Sequence, residues 1–513
     1  MSGFTPIGPY DRALLDQVRP EDWIPPEPVD RYDLVVLGGG TGGLVSAAIG
    51  AALGARVALV ERALLGGDCL NYGCVPSKAV LRAARSWAAA RESATRFHGP
   101  EVRGSRLETG SDVGDGFAAV MERMRRLRAG IAEVDGAQRF RSLGVDIFYG
   151  SGTFLAKDEL EVDGQRLSFR RCILATGGRA AIPDIPGLAD ANPLTNETVF
   201  DLEELPEEMV VLGAGPIGSE LSLAFARFGT RVTLLERSSH PLAQEEPLAS
   251  AMAQKILTGA GVHFEGGCTV TRVEADQSRH RVVVETDEGI ERSFTGDRIL
   301  AALGRIPNLD DSFEVAGVAT TRRGVVTDDR LRTTNPRIYA VGDVAGRHRF
   351  THVADAHARK ATRNALFPGG DDVTSLVVPT TTYLEPEIAR VGAVAAELRE
   401  ASTAFDTLHV DFEDVDRAVL EGEEGFLMVH LEEGGDTILG ATLVADRAGD
   451  IISQLSQAMT LGTGLTKLGD VIFPYPTTAE VIRKAADARR RESLTPRTKK
   501  LLAIFLSIWR RFT

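Results

Sequence analysis

The sequence predicts an α/β chain in which two doubly wound dinucleotide-binding domains are followed by a C-terminal α+β domain. Three observations predict it. A short β run enters a glycine-rich turn and an alanine-rich helix near residue 38, and the same unit recurs near residue 213. Two cysteines, Cys69 and Cys74, stand just after the first copy. At 513 residues the chain has room for about three domains of the usual ~150 residues. A hydrophobic share of 43% can fill large cores, and a net charge of −14 argues against a general nucleic-acid binder and for a soluble acidic protein.

Residues 1–31 are read as an N-terminal arm. They lack the basic start and apolar run of a signal peptide, and Trp23-Ile24-Pro25-Pro26-Glu27-Pro28 reads as extended. Asp33 to Leu37 then forms a strand that enters Gly38-Gly39-Gly40-Thr41-Gly42-Gly43. Gly38 permits a tight turn, Gly40 lets the backbone approach a pyrophosphate, and Gly43 lets helix and strand pack closely. The next strand, Arg56 to Val60, runs into Glu61, 18 residues after Gly43, where an acid can hold an adenosine ribose.

The dithiol follows, within Gly66-Gly67-Asp68-Cys69-Leu70-Asn71-Tyr72-Gly73-Cys74-Val75-Pro76-Ser77-Lys78. In a chain with four cysteines such a pair reads as redox chemistry, since the bridge closes too short a loop to restrict the unfolded chain much. Zinc is the alternative, but it wants four ligands and no second Cys or His pair lies nearby, so no resident metal is expected. Pro76 and the apolar residues after it place Cys74 at a helix N-terminus, whose dipole favours the thiolate. Gly104 to Gly116 is read as a loop between two helices.

The second copy begins with the strand Met209 to Leu212 and the turn Gly213-Ala214-Gly215-Pro216-Ile217-Gly218. Its second strand ends at Glu236, again 18 residues after the last glycine. Two copies imply two dinucleotides, one beside the dithiol and one a diffusible nicotinamide donor. Glu236 can accept the 2′-hydroxyl of NADH and would repel the 2′-phosphate of NADPH, so NADH is expected, although Arg237 could pair with a phosphate. Glu421 to Gly425 is read as a solvated hairpin turn.

With these motifs in order, the chain resembles the flavin-dependent pyridine nucleotide–disulfide oxidoreductases from about Asp33 to Ala486. Ala175-Thr176-Gly177-Gly178, Leu303-Gly304-Arg305-Ile306-Pro307-Asn308, Tyr339-Ala340-Val341-Gly342-Asp343 and Pro386-Glu387 with Val391-Gly392 carry the likeness further. It implies an FAD-binding domain over 32–187 and 313–375, an NAD-binding domain over 188–312, and a dimerisation domain over 376–490, hence a homodimer. The first fingerprint, with Gly67, Asp68, Thr176, Gly177 and Asp343, would hold FAD; the second, with Gly304, would hold NADH. Lys78 and Glu220 match a family ion pair near the flavin, an ordinary helix-surface pair being the alternative. Cys74 would be the flavin-side thiol and Cys69 the exchange thiol that meets substrate.

Two positions depart from the family pattern. Disulfide-reducing members carry a histidine, oriented by a glutamate, that serves the partner subunit's dithiol. Within Phe473-Pro474-Tyr475-Pro476-Thr477-Thr478-Ala479-Glu480 the glutamate remains as Glu480, where it would orient the ring at 475, but Tyr475 stands in place of the histidine. A phenol is a poor base at neutral pH, which speaks against a dihydrolipoyl dehydrogenase. Mercuric reductases resemble this sequence at that position, and a soft metal ion suits a dithiolate. Their C-terminal cysteine pair is missing, however, and Cys172 and Cys268 read as buried strand thiols. Asp68 replaces the family's commonest threonine; its charge would raise the Cys69 pKa unless a hydrogen bond or an FAD hydroxyl offsets it.

The expected function is therefore an enzyme that moves electrons from NADH through FAD and the dithiol to a small-molecule or metal-ion acceptor. A disulfide reductase, a flavin diaphorase reducing quinones, and a non-enzymatic FAD-bearing interaction protein at a membrane are the alternatives. The cytoplasm is the expected compartment. Residues 491–513 form a basic-apolar helix too short to span a bilayer, which could dock on its own dimer or, through residues 499–512, on the inner membrane face.

Overall fold

The computed structural model describes residues 4, 6–96, 110–274, 279–346, 348–492 and 494–512. The chain divides into two units, Met1–Arg237 with Ala260–Ser375, and Ser238–Gly259 with Leu376–Thr513.

In the first unit, Val145–Tyr149, Val57–Glu61, Tyr32–Leu37, Gln165–Leu174 and Ile338–Ala340 pair in parallel in that order. Val57–Glu61 is buried at every position, as a parallel sheet covered on both faces requires. Thr153–Ala156 and Glu159–Val162 extend the sheet antiparallel along the early part of Gln165–Leu174. A second parallel sheet has the order His263–Glu265, Arg231–Leu235, Glu208–Leu212, Arg298–Ala301. In both sheets the glycine turn leaves the carboxyl end of a strand and opens a helix, Thr41–Ala52 or Pro216–Phe228.

Two local expectations are corrected, and one element was not foreseen. Ahead of Trp23–Pro28, which lies outside any helix or strand, the N-terminal segment carries a helix, Pro9–Val18. Its Asp11 pairs with Arg128 at 2.8 Å, both groups 1% exposed, so burying the helix also neutralises two charges. Residues 110–116 of the expected loop open the helix Gly110–Ala132, and 104–109 lie outside the described residues. Glu421 to Gly425 joins a helix, Asp416–Glu421, to the strand Phe426–Glu432, with Gly422 left-handed at φ +66°, so it is not a hairpin turn.

The second unit holds a five-stranded antiparallel sheet in the order Pro379–Thr382, Glu387–Gly392, Ile438–Ala445, Phe426–Glu432, Phe405–Asp411. Residues of the helices Ala448–Thr460 and Glu480–Glu492 complete its core. The helix Pro247–Gly259 belongs to this unit, where the adjoining Glu246 hydrogen-bonds His430 at 2.9 Å, both buried.

Candidate active site: two glycine loops and a dithiol

Both glycine loops are built alike. Gly38 has φ +109° and a Cβ there would lie 2.3 Å from the Ala175 carbonyl; Gly213 has φ +97° and would meet Ala302 at 2.6 Å. A Cβ on Gly43 or Gly218 would come within 1.8 or 1.9 Å of the Gly38 or Gly213 carbonyl. At these four positions the fold itself requires glycine.

The middle glycines are different. Gly40 and Gly215 have ordinary φ values of −77° and −70°. A Cβ on Gly215 would meet nothing within 4 Å, and one on Gly40 only the Gly67 Cα at 3.7 Å. Neither backbone nor packing demands glycine there, so the open space at each helix start fits a pyrophosphate approaching the first-turn N–H groups.

The acids close each loop. Glu61 accepts hydrogen bonds from Gly39 N and Ala63 N, both at 2.6 Å, and burial pushes its carboxyl up. Glu236 accepts Ala214 N at 2.6 Å, the equivalent donor in the second copy, while Arg237 is exposed. The remaining motifs meet as a ribbon: Gly178–Ala180 pairs antiparallel with Arg305–Pro307, and Thr176 and Asn308 exchange hydrogen bonds at 2.8 and 2.9 Å. Gly177 and Gly304, at φ +68° and +106°, face open space beside that ribbon.

Gly67 brings the dithiol to the first loop, for a Cβ there would lie 2.6 Å from the Gly40 Cα. Cys69 sits in the short helix Gly67–Asn71, and Cys74 opens the helix Cys74–Arg96. Cys74 Sγ lies 3.3 Å from Thr351 Oγ1, at the start of the helix Thr351–Leu366. The Cys74 thiol is lowered, to about 6, first by the hydrogen bond from Cys69 and further by Thr351 and the Lys78 charge, against burial and Asp68. Cys69 is raised, first because it keeps the proton it donates to Cys74, then by burial. The pair thus favours a Cys74 thiolate beside a Cys69 thiol. Lys78 Nζ contacts Glu220 Oε2 at 2.8 Å, tying the dithiol helix to the helix of the second glycine loop. With Glu220 6% exposed, the pair is more than surface decoration.

Asp68 Oδ1 accepts Asn196 Nδ2 at 2.8 Å, and Oδ2 lies 3.4 Å from Arg305 Nη1. Arg305 also reaches Asp343 Oδ2 at 3.3 Å, so one guanidinium spans two expected flavin-site carboxylates. Burial raises the Asp68 carboxyl, and Arg305 and Asn196 oppose that rise. Of the two offsets open from sequence, the hydrogen bond is present, joined by an ion pair.

In the second unit Tyr475 is exposed and its hydroxyl donates to Asp416 Oδ2 at 2.9 Å, a bond that raises the phenol's pKa. Glu480, expected to orient the ring at 475, is instead buried against Arg483. Its Oε2 has no hydrogen-bond partner among the described residues. Cys172 and Cys268 are buried strand thiols whose pKa values burial raises. Thr351, Asn196, Arg305 and Asp416 were not singled out from sequence as site residues; of these only Arg305 stood within a recognised motif.

Comparison with known proteins agrees with this geometry. Residues 32–358 match the family model "Pyridine nucleotide-disulphide oxidoreductase", and 378–486 match its dimerisation domain. A mercuric reductase of Bacillus cereus is 33% identical over 88% of this chain and 71% of its own length. A dihydrolipoyl dehydrogenase of Chlamydia muridarum is 31% identical over 89% of this chain and 96% of its own. The HOCl-induced flavoprotein disulfide reductase RclA of Escherichia coli, solved as its Cu(II) complex, superposes with a TM-score of 0.73 at 26% identity, covering 88% of this chain and 98% of that one.

Proposed function

The chain belongs to the pyridine nucleotide-disulphide oxidoreductases, a family of FAD- and NAD(P)H-dependent enzymes with a dimerisation domain, and on that premise we propose that it uses NADH to reduce a soft, thiol-reactive metal ion. The observation that carries this reading is Tyr475, a phenol hydrogen-bonded to Asp416 where disulfide reductases of the family need an imidazole. Reducing a disulfide with NADH consumes one proton and yields two thiols, so sulfur must be protonated. Reducing a divalent metal ion to the element with NADH releases a proton and leaves no thiol to protonate. A phenol whose pKa is raised by a carboxylate is a poor base and a poor acid at neutral pH, so it suits an acceptor that asks for neither.

The first loop, Glu61, Thr176, Gly177, Asp68 and Asp343 would hold FAD; the second loop with Glu236 and Gly304 would hold NADH. FAD, when bound, supplies a two-electron carrier between nicotinamide and sulfur. Lys78, fixed by Glu220, places a positive charge beside the Cys74 thiolate. Cys69 keeps its proton until a ligand arrives and is the thiol offered to the acceptor. Once both are deprotonated, the two sulfurs make a soft dithiolate, which suits a thiophilic ion. Glu236 favours NADH because its carboxylate would lie against a 2′-phosphate.

A disulfide acceptor is the second reading, favoured by the similarity to dihydrolipoyl dehydrogenase. Steady-state NADH oxidation with Hg(II), lipoamide, glutathione disulfide and a quinone in parallel separates the readings. Turnover with Hg(II) that Cys69→Ser abolishes is expected. Faster turnover with lipoamide than with Hg(II) overturns the metal assignment, and quinone turnover indifferent to Cys69→Ser would make the protein a diaphorase.

A further inference from the structure

The last helix, Pro496–Trp509, is not explained by any of this chemistry. It begins on its own signals: Thr495 accepts the Thr498 N–H at 3.2 Å, and Pro496 takes the first turn, where its missing N–H costs nothing. None of its residues is buried. Phe505 is 62% and Trp509 54% exposed, and Phe512 just beyond is 86% exposed. It also starts ten residues beyond the end of the family's dimerisation domain at 486.

Its residues are sorted by face. At ~100° per residue, Lys499, Lys500, Arg510 and Arg511 fall with Ala503 and Ser507 in one sector of about 120°. Leu501, Leu502, Phe505, Ile508, Trp509 and Phe512 lie on the opposite side, within an arc of about 120° that of the polar residues takes in only Thr498, with Arg497 of the first turn at its border. Residues 496–513 hold five basic and no acidic residues, in a chain whose net charge is −14. A second copy of the helix therefore offers it no opposite charge, whereas an anionic lipid surface offers many. Aromatic and leucine residues on one face with lysines and arginines on the other suit a helix lying in the headgroup plane, its basic stems reaching back to phosphates. At ~1.5 Å per residue its 14 residues reach about 21 Å, short of the ~30 Å hydrocarbon core. Among the described residues no helix is long and apolar enough to cross a membrane.

We infer that residues 496–512 form an in-plane anchor that binds this enzyme peripherally to an anionic membrane surface. The inference is independent of which acceptor the dithiol reduces. The rest of the acidic chain is repelled by such a surface, so contact is confined to this helix and to low or moderate salt.

The test is co-sedimentation of the full flavoprotein with vesicles of phosphatidylcholine alone or of equal parts phosphatidylcholine and phosphatidylglycerol. Binding to the anionic vesicles is expected to exceed binding to the neutral ones by at least about tenfold, because each basic residue is drawn to an anionic surface. The triple variant Leu501→Ser, Phe505→Ser, Ile508→Ser should lose binding to both. Replacing Lys499, Lys500, Arg510 and Arg511 with Gln should abolish the preference for anionic lipid. Flavin content and NADH oxidation, read on the same samples, should not change. Equal binding by a chain lacking 496–513 overturns the inference, as does absence of binding by the full chain. Dissociation of the dimer on that truncation would show that the helix serves subunit packing instead.

Discussion

Asp68 illustrates how much a single side chain can be remade by its neighbours. Alone, a carboxylate next to Cys69 would oppose thiolate formation at both sulfurs, and it does act in that direction on each. Arg305 at 3.4 Å and Asn196 at 2.8 Å oppose that charge, so the dithiol sees a carboxylate that is partly compensated. The prediction has two signs. Asp68→Asn should lower the Cys74 pKa by less than about one unit, because the charge removed is already partly compensated. Arg305→Met should raise it, since the uncompensated carboxylate then faces the thiols. Lys78→Met should raise it as well. In the parent protein the Cys74 thiolate forms as pH rises through about 6 and is lost below that. NMR titration of the reduced protein labelled at cysteine Cβ reads all of these. A rise in the Cys74 pKa on Asp68→Asn would show that the carboxylate helps the thiolate, by orienting Arg305, rather than opposing it.

At the scale of elements, the two glycine turns separate what the fold needs from what a ligand needs. A Cβ on Gly218 would sit 1.9 Å from the Gly213 carbonyl, whereas one on Gly215 would touch nothing. Gly218→Ala should therefore destabilise the protein by several kcal/mol or prevent its folding, as overpacked sites with no room to relax do. Gly215→Ala should fold with unchanged stability but raise the KM for NADH on the order of tenfold, about 1.4 kcal/mol. Thermal unfolding and steady-state kinetics check the pair; an unchanged KM in Gly215→Ala would mean that no phosphate passes over that residue. These turns were legible in the sequence because strand, glycines, helix and acid are local and repeat with one spacing. The helix start at Cys74 was legible for the same reason. Pro9–Val18 was not, because what fixes it is the buried contact of Asp11 with Arg128, 117 residues away. Thr351 was missed likewise: 277 residues separate it from Cys74, and only the folded sheet brings them together.

For the whole molecule, the open question is where the dithiol's proton goes, since the family residue that handles it comes from the dimerisation domain. The sequence showed that imidazole is missing at 475 but did not show what the phenol does instead. In the structure its hydroxyl is turned to Asp416, and Glu480 is engaged by Arg483. A phenol so held keeps its proton near neutral pH, and it cannot accept one from an incoming thiol. The enzyme should accordingly oxidise dihydrolipoamide slowly, with the deficit of about 10²–10⁴-fold that loss of general acid–base assistance brings. Tyr475→His alone should recover only part of this, for Asp416 is the carboxylate within reach and is placed for a hydroxyl, not for a shorter imidazole. Adding Arg483→Met frees Glu480 and should recover more. Neither change should speed Hg(II) reduction, in which the incoming metal ion itself displaces the Cys69 proton. Stopped-flow and steady-state assays with both substrates, from pH 6 to 8 where imidazole titrates at about 6.5, distinguish the cases. A parent enzyme already fast with dihydrolipoamide would mean that another group accepts the thiol proton, and Tyr475 could then no longer be used to argue for a metal acceptor.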